Sequence, residues 1–207
     1  MKLTQVPCIR PDTQDLLLSR LLEKTIRRSN ALDTETLCLI AGQKCFHIRA
    51  DLHILAHDGN LVDASCLALV AALLHFRRPD IEIRGEEVVV FSSAEREGVP
   101  LTMLHWPFCV STSYYDNGAI MLNDATRLEE QCREGEMVLG MNRFGEVVQI
   151  GKLGGEPVEG LALLNVVMAA LEKVKFFDAL VKRRLAEDAK VRDKEGLMAE
   201  LSAENER

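Results

Sequence analysis

The chain has 207 residues, 47% of them hydrophobic and 28% charged, enough to bury one sizeable core, or one core plus a helical tail. Its formal net charge of −7 argues against generic, charge-driven binding to nucleic acid, while leaving room for a local basic patch. Residues 1–60 hold eight Lys/Arg against seven Asp/Glu, residues 61–155 eight against fourteen, and residues 156–207 nine against eleven. An anionic ligand is therefore expected near the first of these segments.

Six cysteines (Cys8, Cys38, Cys45, Cys66, Cys109, Cys132) are scattered singly, with no CxxC pair. Cys38, Cys66 and Cys109 sit inside apolar runs, where a free thiol behaves as a small hydrophobe. The pattern predicts a reducing compartment, and the absence of a signal peptide or a membrane-length apolar run predicts a soluble intracellular protein with no membrane partner.

Residues 1–14, with Pro7 and Pro11, read as a loop. From Asp15 to Arg28 the apolar residues Leu17, Leu18, Leu21, Leu22 and Ile26 recur at helical spacing. The acid lies at the start and Lys24, Arg27 and Arg28 at the end, an order that suits the helix dipole. Thr36–Ala41 and Cys45–Leu55 read as strands joined by Gly42-Gln43-Lys44. In the second, Phe46, Ile48, Ala50, Leu52 and Ile54 alternate with polar residues, the mark of a half-buried strand. After the turn His57-Asp58-Gly59-Asn60, Asp63 is the expected N-cap of a helix over Ala64–Phe76, apolar nearly all round and so buried. Arg77-Arg78-Pro79 ends it.

Glu87–Phe91, Cys109–Tyr115, Ala119–Leu122, Met137–Met141 and Val147–Ile150 read as short strands, the last two joined by the turn Asn142-Arg143-Phe144-Gly145. Gly154-Gly155 separates them from a long helix running from Pro157 to about Glu187. The expected organisation is a loop over 1–14, one domain over 15–155, a long helix over 156–187 and a charged tail over 188–207. Helices packed on a mixed sheet make the class α+β.

Certain strings carry more. Ser19-Arg20, Arg27-Arg28-Ser29-Asn30-Ala31-Leu32-Asp33, Leu37-Cys38-Leu39-Ile40-Ala41-Gly42, Ile48-Arg49-Ala50-Asp51-Leu52, Asp58-Gly59-Asn60 and Asp63-Ala64-Ser65 follow one another in order. Over roughly Leu16 to Leu180 the chain resembles the RNase PH family, whose fold is of the ribosomal protein S5 domain 2-like type. His75-Phe76-Arg77-Arg78-Pro79-Asp80, Glu95-Arg96-Glu97 and Val99-Pro100-Leu101 make it similar to ring subunits of the eukaryotic RNA exosome core, in a form that looks fungal. The resemblance implies assembly with other RNase PH-like ring subunits, S1/KH cap subunits and a catalytic exosome nuclease, with single-stranded RNA passing through. It implies residence in the nucleus and nucleolus, and also the cytoplasm. Family domains open with an arm and several strands ahead of the first helix read above, so the domain is expected to be N-terminally truncated here, with unpaired edges and poor stability in isolation.

In active relatives an Arg just after an Asp-Gly turn holds the attacking phosphate, and the matching position here is Val62, whose hydrocarbon cannot grip a dianion. Two Asp six residues apart assist metal binding and the leaving oxygen in those relatives. Glu130 and Glu136 match them, each one methylene longer. The plain alternative makes Glu129, Glu130, Glu134 and Glu136 a solvated acidic turn. No cofactor or metal is implied.

For RNA, the candidates are Arg20, Lys24, Arg27 and Arg28, set by helical spacing on overlapping faces; a solvated helix face or subunit ion pairs is the competing account. Arg77-Arg78 is explained by helix-end charge, and Lys182-Arg183-Arg184 is read first as a charged helix end, with contact to RNA or a nuclear-import receptor as the alternative. His53 and His57 fall on strand and turn, on the order of 13 Å apart, too far for a zinc pair. Of Tyr114 and Tyr115, one must point into the core. The resulting expectation is a non-catalytic subunit of the exosome ring supporting 3′-to-5′ RNA processing. The rival is an active phosphate-dependent 3′-to-5′ exoribonuclease using Glu130 and Glu136.

Overall fold

A computed structural model describes residues 13–84, 87–92 and 95–192. Most of the expected N-terminal loop, and the tail beyond Arg192, lie outside the described residues. The leucines at three- and four-residue spacing form α1 (Thr13–Glu23), which passes without a break into a π-helical turn over Lys24–Arg28. Leu22, Thr25 and Ile26 are fully buried. The Thr25 hydroxyl donates back to the Leu21 carbonyl at 2.9 Å and the Ser29 hydroxyl to the Thr25 carbonyl at 2.6 Å. Such bonds compete for helix carbonyls where the π turn sits. Asn30, at φ 54°, then reverses the chain, and the Ala31 N–H donates to the Ile26 carbonyl at 3.1 Å. A short polar residue in the left-handed region is a common helix stop.

A 3₁₀ turn over Glu35–Leu37 leads into β1 (Cys38–Ile40), which pairs antiparallel with β2 (Lys44–Cys45) around Gly42, whose φ is +75°. The strand expected over Cys45–Leu55 ends there. Phe46, Ile48 and Ala50 are half-buried while His47, Arg49 and Asp51 are exposed, so the alternation is real, but among the described residues the segment has no ladder partner. Beyond Ala50 even the alternation of burial stops, with Leu52, Ile54 and Leu55 exposed. Side-chain periodicity reports which face is apolar; it does not supply a neighbouring strand.

The buried helix is α2 (Leu61–His75). Its N-cap is Asn60 rather than Asp63, which lies inside the first turn. Asn60 takes left-handed φ/ψ of 49°/46°, and this moves the helix start three residues ahead of the expected boundary. After α2, Arg77–Arg78 (β3) pairs with Val99–Pro100 (β6), and Ile81–Arg84 (β4) with Glu87–Val90 (β5). Arg77 Nη1 also caps α2 by donating to the carbonyls of Leu74 and Phe76.

The main sheet has the order β10–β9–β7–β8, from β7 (Phe108–Tyr115), β8 (Ile120–Asn123), β9 (Gly135–Met141) and β10 (Val147–Gly154). Its ladders run antiparallel. β7 is buried along nearly its whole length. Phe108 meets Phe177, ring centroids 6.1 Å apart, while its neighbour Cys109 faces Thr25 with 3.4 Å between Sγ and Oγ1. Successive side chains of a strand point to opposite faces, so both faces of β7 are covered. Tyr114 is the inward tyrosine, its hydroxyl against Met137 Sδ at 3.4 Å; Tyr115 donates to the Glu129 carbonyl at 2.8 Å. The short helix α3 (Arg127–Cys132) is absent from the elements expected above, although Thr126 and Glu129 close a capping box at its start. The final helix, α4 (Gly160–Arg192), buries Val166, Ala170, Val174, Asp178 and Val181 on one side. The architecture is α+β, as expected.

Because Asn30 occupies the left-handed region, Asn30→Ala is expected to lower stability by about 1 kcal/mol and Asn30→Gly to leave it unchanged or raise it. Urea unfolding midpoints measure both; equal losses in the two variants would refute the account.

Candidate functional site

The site begins with a backbone contact. Gly59, at φ +103°, lies so close to the strand-to-helix turn that an added Cβ would stand 2.3 Å from the Ala125 carbonyl oxygen. Gly59 forms a β-bridge with Thr126, and the Arg127 N–H donates to the Asp58 carbonyl at 2.9 Å. Only glycine permits both that φ and that approach.

Asn60 then acts as a hub. Its backbone N–H donates to Glu130 Oε1 at 2.8 Å. Its Nδ2 donates to Asp124 Oδ1 at 2.7 Å and to Asp63 Oδ2 at 3.2 Å, and its Oδ1 accepts from the Ser111 hydroxyl at 2.8 Å. The turn before α2 is thereby tied to β7, to the β8–α3 connection and to α3 itself. Val62, one residue into α2 beyond Leu61, is half-buried and packs against the hydrophobic core.

Glu130 and Glu136 are indeed brought to this place, but they arrive with a cation between them. Arg133 Nη2 lies 2.7 Å from Glu136 Oε2, and Nη1 lies 3.9 Å from Glu130 Oε1. Glu136 is the more buried of the two, and burial raises its pKa, opposed by the Arg133 charge and reinforced by Glu130. Sequence reasoning misses Arg133, although Glu130, Arg133 and Glu136 recur at intervals of three. The solvated acidic turn is only partly so. Glu129 holds the Thr126 N–H and hydroxyl at 2.7 and 2.8 Å, bonds that lower its pKa, and Glu134 accepts from the Asn117 N–H at 2.9 Å.

Asp63 is the most perturbed carboxylate here. Its Oδ1 is buried without a well-formed hydrogen bond, and burial pushes its pKa up from 3.8 to about 6 against the opposing influence of Ser111 and Asn60. The turn therefore gathers Asp63, Asp124 and Glu130 around Asn60, with Arg133 joining Glu130 to Glu136 and the Lys173 charge acting on Asp63. An inorganic phosphate would meet more carboxylates than donors there, and a divalent cation would have to displace Arg133 from Glu136.

The basic candidates lie elsewhere, on the first helix. Arg20, Lys24, Arg27 and Arg28 are all exposed. Arg27 is held by Glu23 at 2.9 Å, whereas Arg20, Lys24 and Arg28 have no ion-pair partner among the described residues. The second basic cluster is spoken for: Lys182 binds Asp178 at 2.6 Å and lies over Trp106, and Arg183 and Arg184 both approach Glu187. His53 and His57 are exposed, His57 Nδ1 accepting from the Gly59 N–H, and no group of three or more metal-ligating side chains occurs among the described residues.

The Gly59-Asn60 turn held to α3, the antiparallel sheet β10–β9–β7–β8 and the long α4 point to the RNase PH class of fold. Models of the 3′ exoribonuclease family match residues 5–79 (domain 1) and 105–173 (domain 2), and the chain belongs to this RNase PH family. The chain is 46% identical over 198 residues to the exosome complex component rrp45 of Schizosaccharomyces pombe, covering 96% of this chain and 67% of the relative. It is 40% identical to exosome complex component RRP45 of Saccharomyces cerevisiae, covering 93% and 67%, and 42% identical to its human counterpart, covering 92% and 44%. The chain thus spans about two thirds of the yeast relatives and under half of the human one. In structure it is similar to a chain of an archaeal exosome core, with a TM-score of 0.67 at 23% identity, over 87% of this chain and 68% of that one.

Asp63 makes a pH signature. Its folded-state pKa is raised, so the native state holds the proton more tightly than the unfolded chain, and this carboxyl's contribution to stability falls as pH rises from 3.8 to about 6. Asp63→Asn is expected to remove that component, on the order of 3 kcal/mol in difference between the two chains across the window. Parallel urea titrations at several pH values measure it; superimposable pH slopes would refute it.

Proposed function

We propose that this chain is a non-catalytic ring subunit of an exosome, contributing subunit contacts and part of an RNA path to 3′-to-5′ RNA processing and degradation. Its partners on this reading are other RNase PH-like ring subunits, S1/KH cap subunits and a separate nuclease, in the nucleus, nucleolus and cytoplasm. The kinship with named exosome components supports the assembly. The observation that argues most strongly against catalysis is Arg133, which occupies the gap between Glu130 and Glu136 at the position where active relatives are expected to work with free carboxylates. Val62 reinforces it. By the resemblance it stands where active relatives carry the arginine that faces the attacking phosphate, and its hydrocarbon cannot offset that charge.

The rival reading, phosphorolysis by Glu130 and Glu136, draws on the fact that the two carboxylates share one pocket. An assay for phosphate-dependent release of nucleoside diphosphates from single-stranded RNA separates the two. No release above background is expected from this chain with magnesium present. Activity that depends on phosphate and disappears in Glu136→Ala would overturn the scaffold reading.

On this reading RNA meets the exposed basic side chains of α1 and of the π-helical turn that follows it. Arg20→Ala, Lys24→Ala and Arg28→Ala are each expected to weaken binding of a single-stranded oligonucleotide and to reduce the salt slope by roughly 0.7 per charge removed. Arg27→Ala, whose charge Glu23 already offsets, is expected to have a smaller effect. Anisotropy titrations at several salt concentrations measure this, and unchanged slopes in all four variants would remove α1 and the turn after it from the RNA path.

A further inference from the structure

Cys38 and Cys45 are register partners across the β1–β2 hairpin, and both are exposed. The hydrogen-bond pattern gives the type of pair. The Phe46 N–H donates to the Leu37 carbonyl at 2.8 Å, one step outside the two cysteines, so Cys38 and Cys45 occupy a non-hydrogen-bonded position of the antiparallel ladder. There the Cα atoms of facing residues are about 4.5 Å apart and the side chains rise together on one face. That separation falls inside the Cα range of roughly 4.4–6.8 Å that a disulfide spans. A register shift separates this pair from Ile40↔Lys44, beyond which Gly42 supplies φ +75° and the Gln43 N–H donates to the Ile40 carbonyl at 3.0 Å, closing the hairpin.

The other cysteines of the described residues differ. Cys66 and Cys109 are buried, and the Cys109 side chain together with burial holds the Cys66 thiol well above its usual pKa. Cys132 is exposed at the end of α3, outside the strand ladders, so register gives it no facing cysteine. Among the described residues, the Cys38–Cys45 pair alone combines solvent access with a facing thiol imposed by strand register.

We propose that Cys38 and Cys45 form a redox-active dithiol that hydroperoxides convert to an intramolecular cross-strand disulfide. One thiolate attacks the peroxide, forming an S–O bond and breaking the O–O bond, so that sulfur is oxidised to a sulfenic acid and the peroxide is reduced, releasing water or the alcohol. The facing thiol then attacks that sulfur, the S–S bond forms, and the sulfenic hydroxyl leaves as water. Two thiols lose two electrons and two protons, and a cellular dithiol restores them by exchange. The hairpin leads directly into Leu37 and Phe46, which help line an apolar cavity of about 350 Å³ with Ile48, Leu69, Leu73 and Phe76. Oxidation therefore staples one wall of that cavity.

The experiment treats the full chain with hydrogen peroxide, blocks remaining thiols by alkylation, then denatures and digests it with trypsin. The Lys44–Cys45 bond lies between the two cysteines, so a disulfide holds the peptides 29–44 and 45–49 together as one species that separates on reduction. That linked species is expected in the wild type. In Cys38→Ser, a sulfenic acid on Cys45 trapped by dimedone is expected in its place. Recovery of Cys38 and Cys45 alkylated, singly oxidised to sulfinic acids, or bonded to Cys8, Cys132 or a second copy would each overturn the proposal.

Discussion

The tightest glycine contact among the described residues joins the two halves of the chain. Gly59 lies against the Ala125 carbonyl and bridges to Thr126, and there is no room for a side chain between them. Gly59 falls within the first of the two matched family regions and Ala125 within the second. From this contact the rest follows in order. Asn60 is forced into the left-handed region, its backbone N–H is aimed at Glu130, and α2 starts at Leu61 with Val62 packed towards the core. The site in this chain is thus a seam, and its chemistry depends on what the seam brings face to face.

What it brings together here is an acidic cluster in which Arg133 is already paired with two of the carboxylates. In a catalytic pocket for phosphorolysis, positive charge must be available to the attacking phosphate and to the developing charge on the leaving group. Arg133 provides charge, but it is committed to Glu136 at 2.7 Å, and Val62 beside the turn offers only hydrocarbon. The same geometry that makes a poor phosphate site makes a good clamp. Glu130 caps the Asn60 N–H, Arg133 neutralises Glu130 and Glu136, and α3 is fixed onto β9 and the turn before α2. In this structure the two carboxylates do structural work, holding the turn before α2 and β9 to α3.

Much of the fold was legible because long periodic segments report their own burial. The leucine spacing of α1, the apolar stretch of α2, the buried strands β7 and β9 and the stripe of α4 all depend on local pattern. Failures came where a non-local partner decides. Phe46–Leu55 alternates like a strand, but no neighbour among the described residues completes it, and alternation of burial persists only where α2 lies beneath, at Phe46, Ile48 and Ala50. Asp63 has the composition of an N-cap, yet the helix begins at Leu61 because Asn60 is pinned by Glu130, seventy residues away. α3 carried a visible signal, the Thr126–Glu129 capping box, that a run of glutamates obscured.

For the site, residue types were legible and electrostatics were not. Val62, Glu130 and Glu136 could be placed by resemblance, but their meaning depends on Arg133, which no motif marks, and on the burial that lifts Asp63 and Glu136. A guanidinium three residues from each of two glutamates is uninformative in a string, because on a continuous helix it would be an ordinary surface ion pair. Here the chain leaves α3 at Cys132, Arg133 is extended at φ −69° and ψ 143°, and Glu136 belongs to a strand. The break in helix between Glu130 and Glu136 folds one acid back over the other with the arginine enclosed. A change from helix to strand within six residues turns a solvated charge pattern into a partly buried ion-pair cluster.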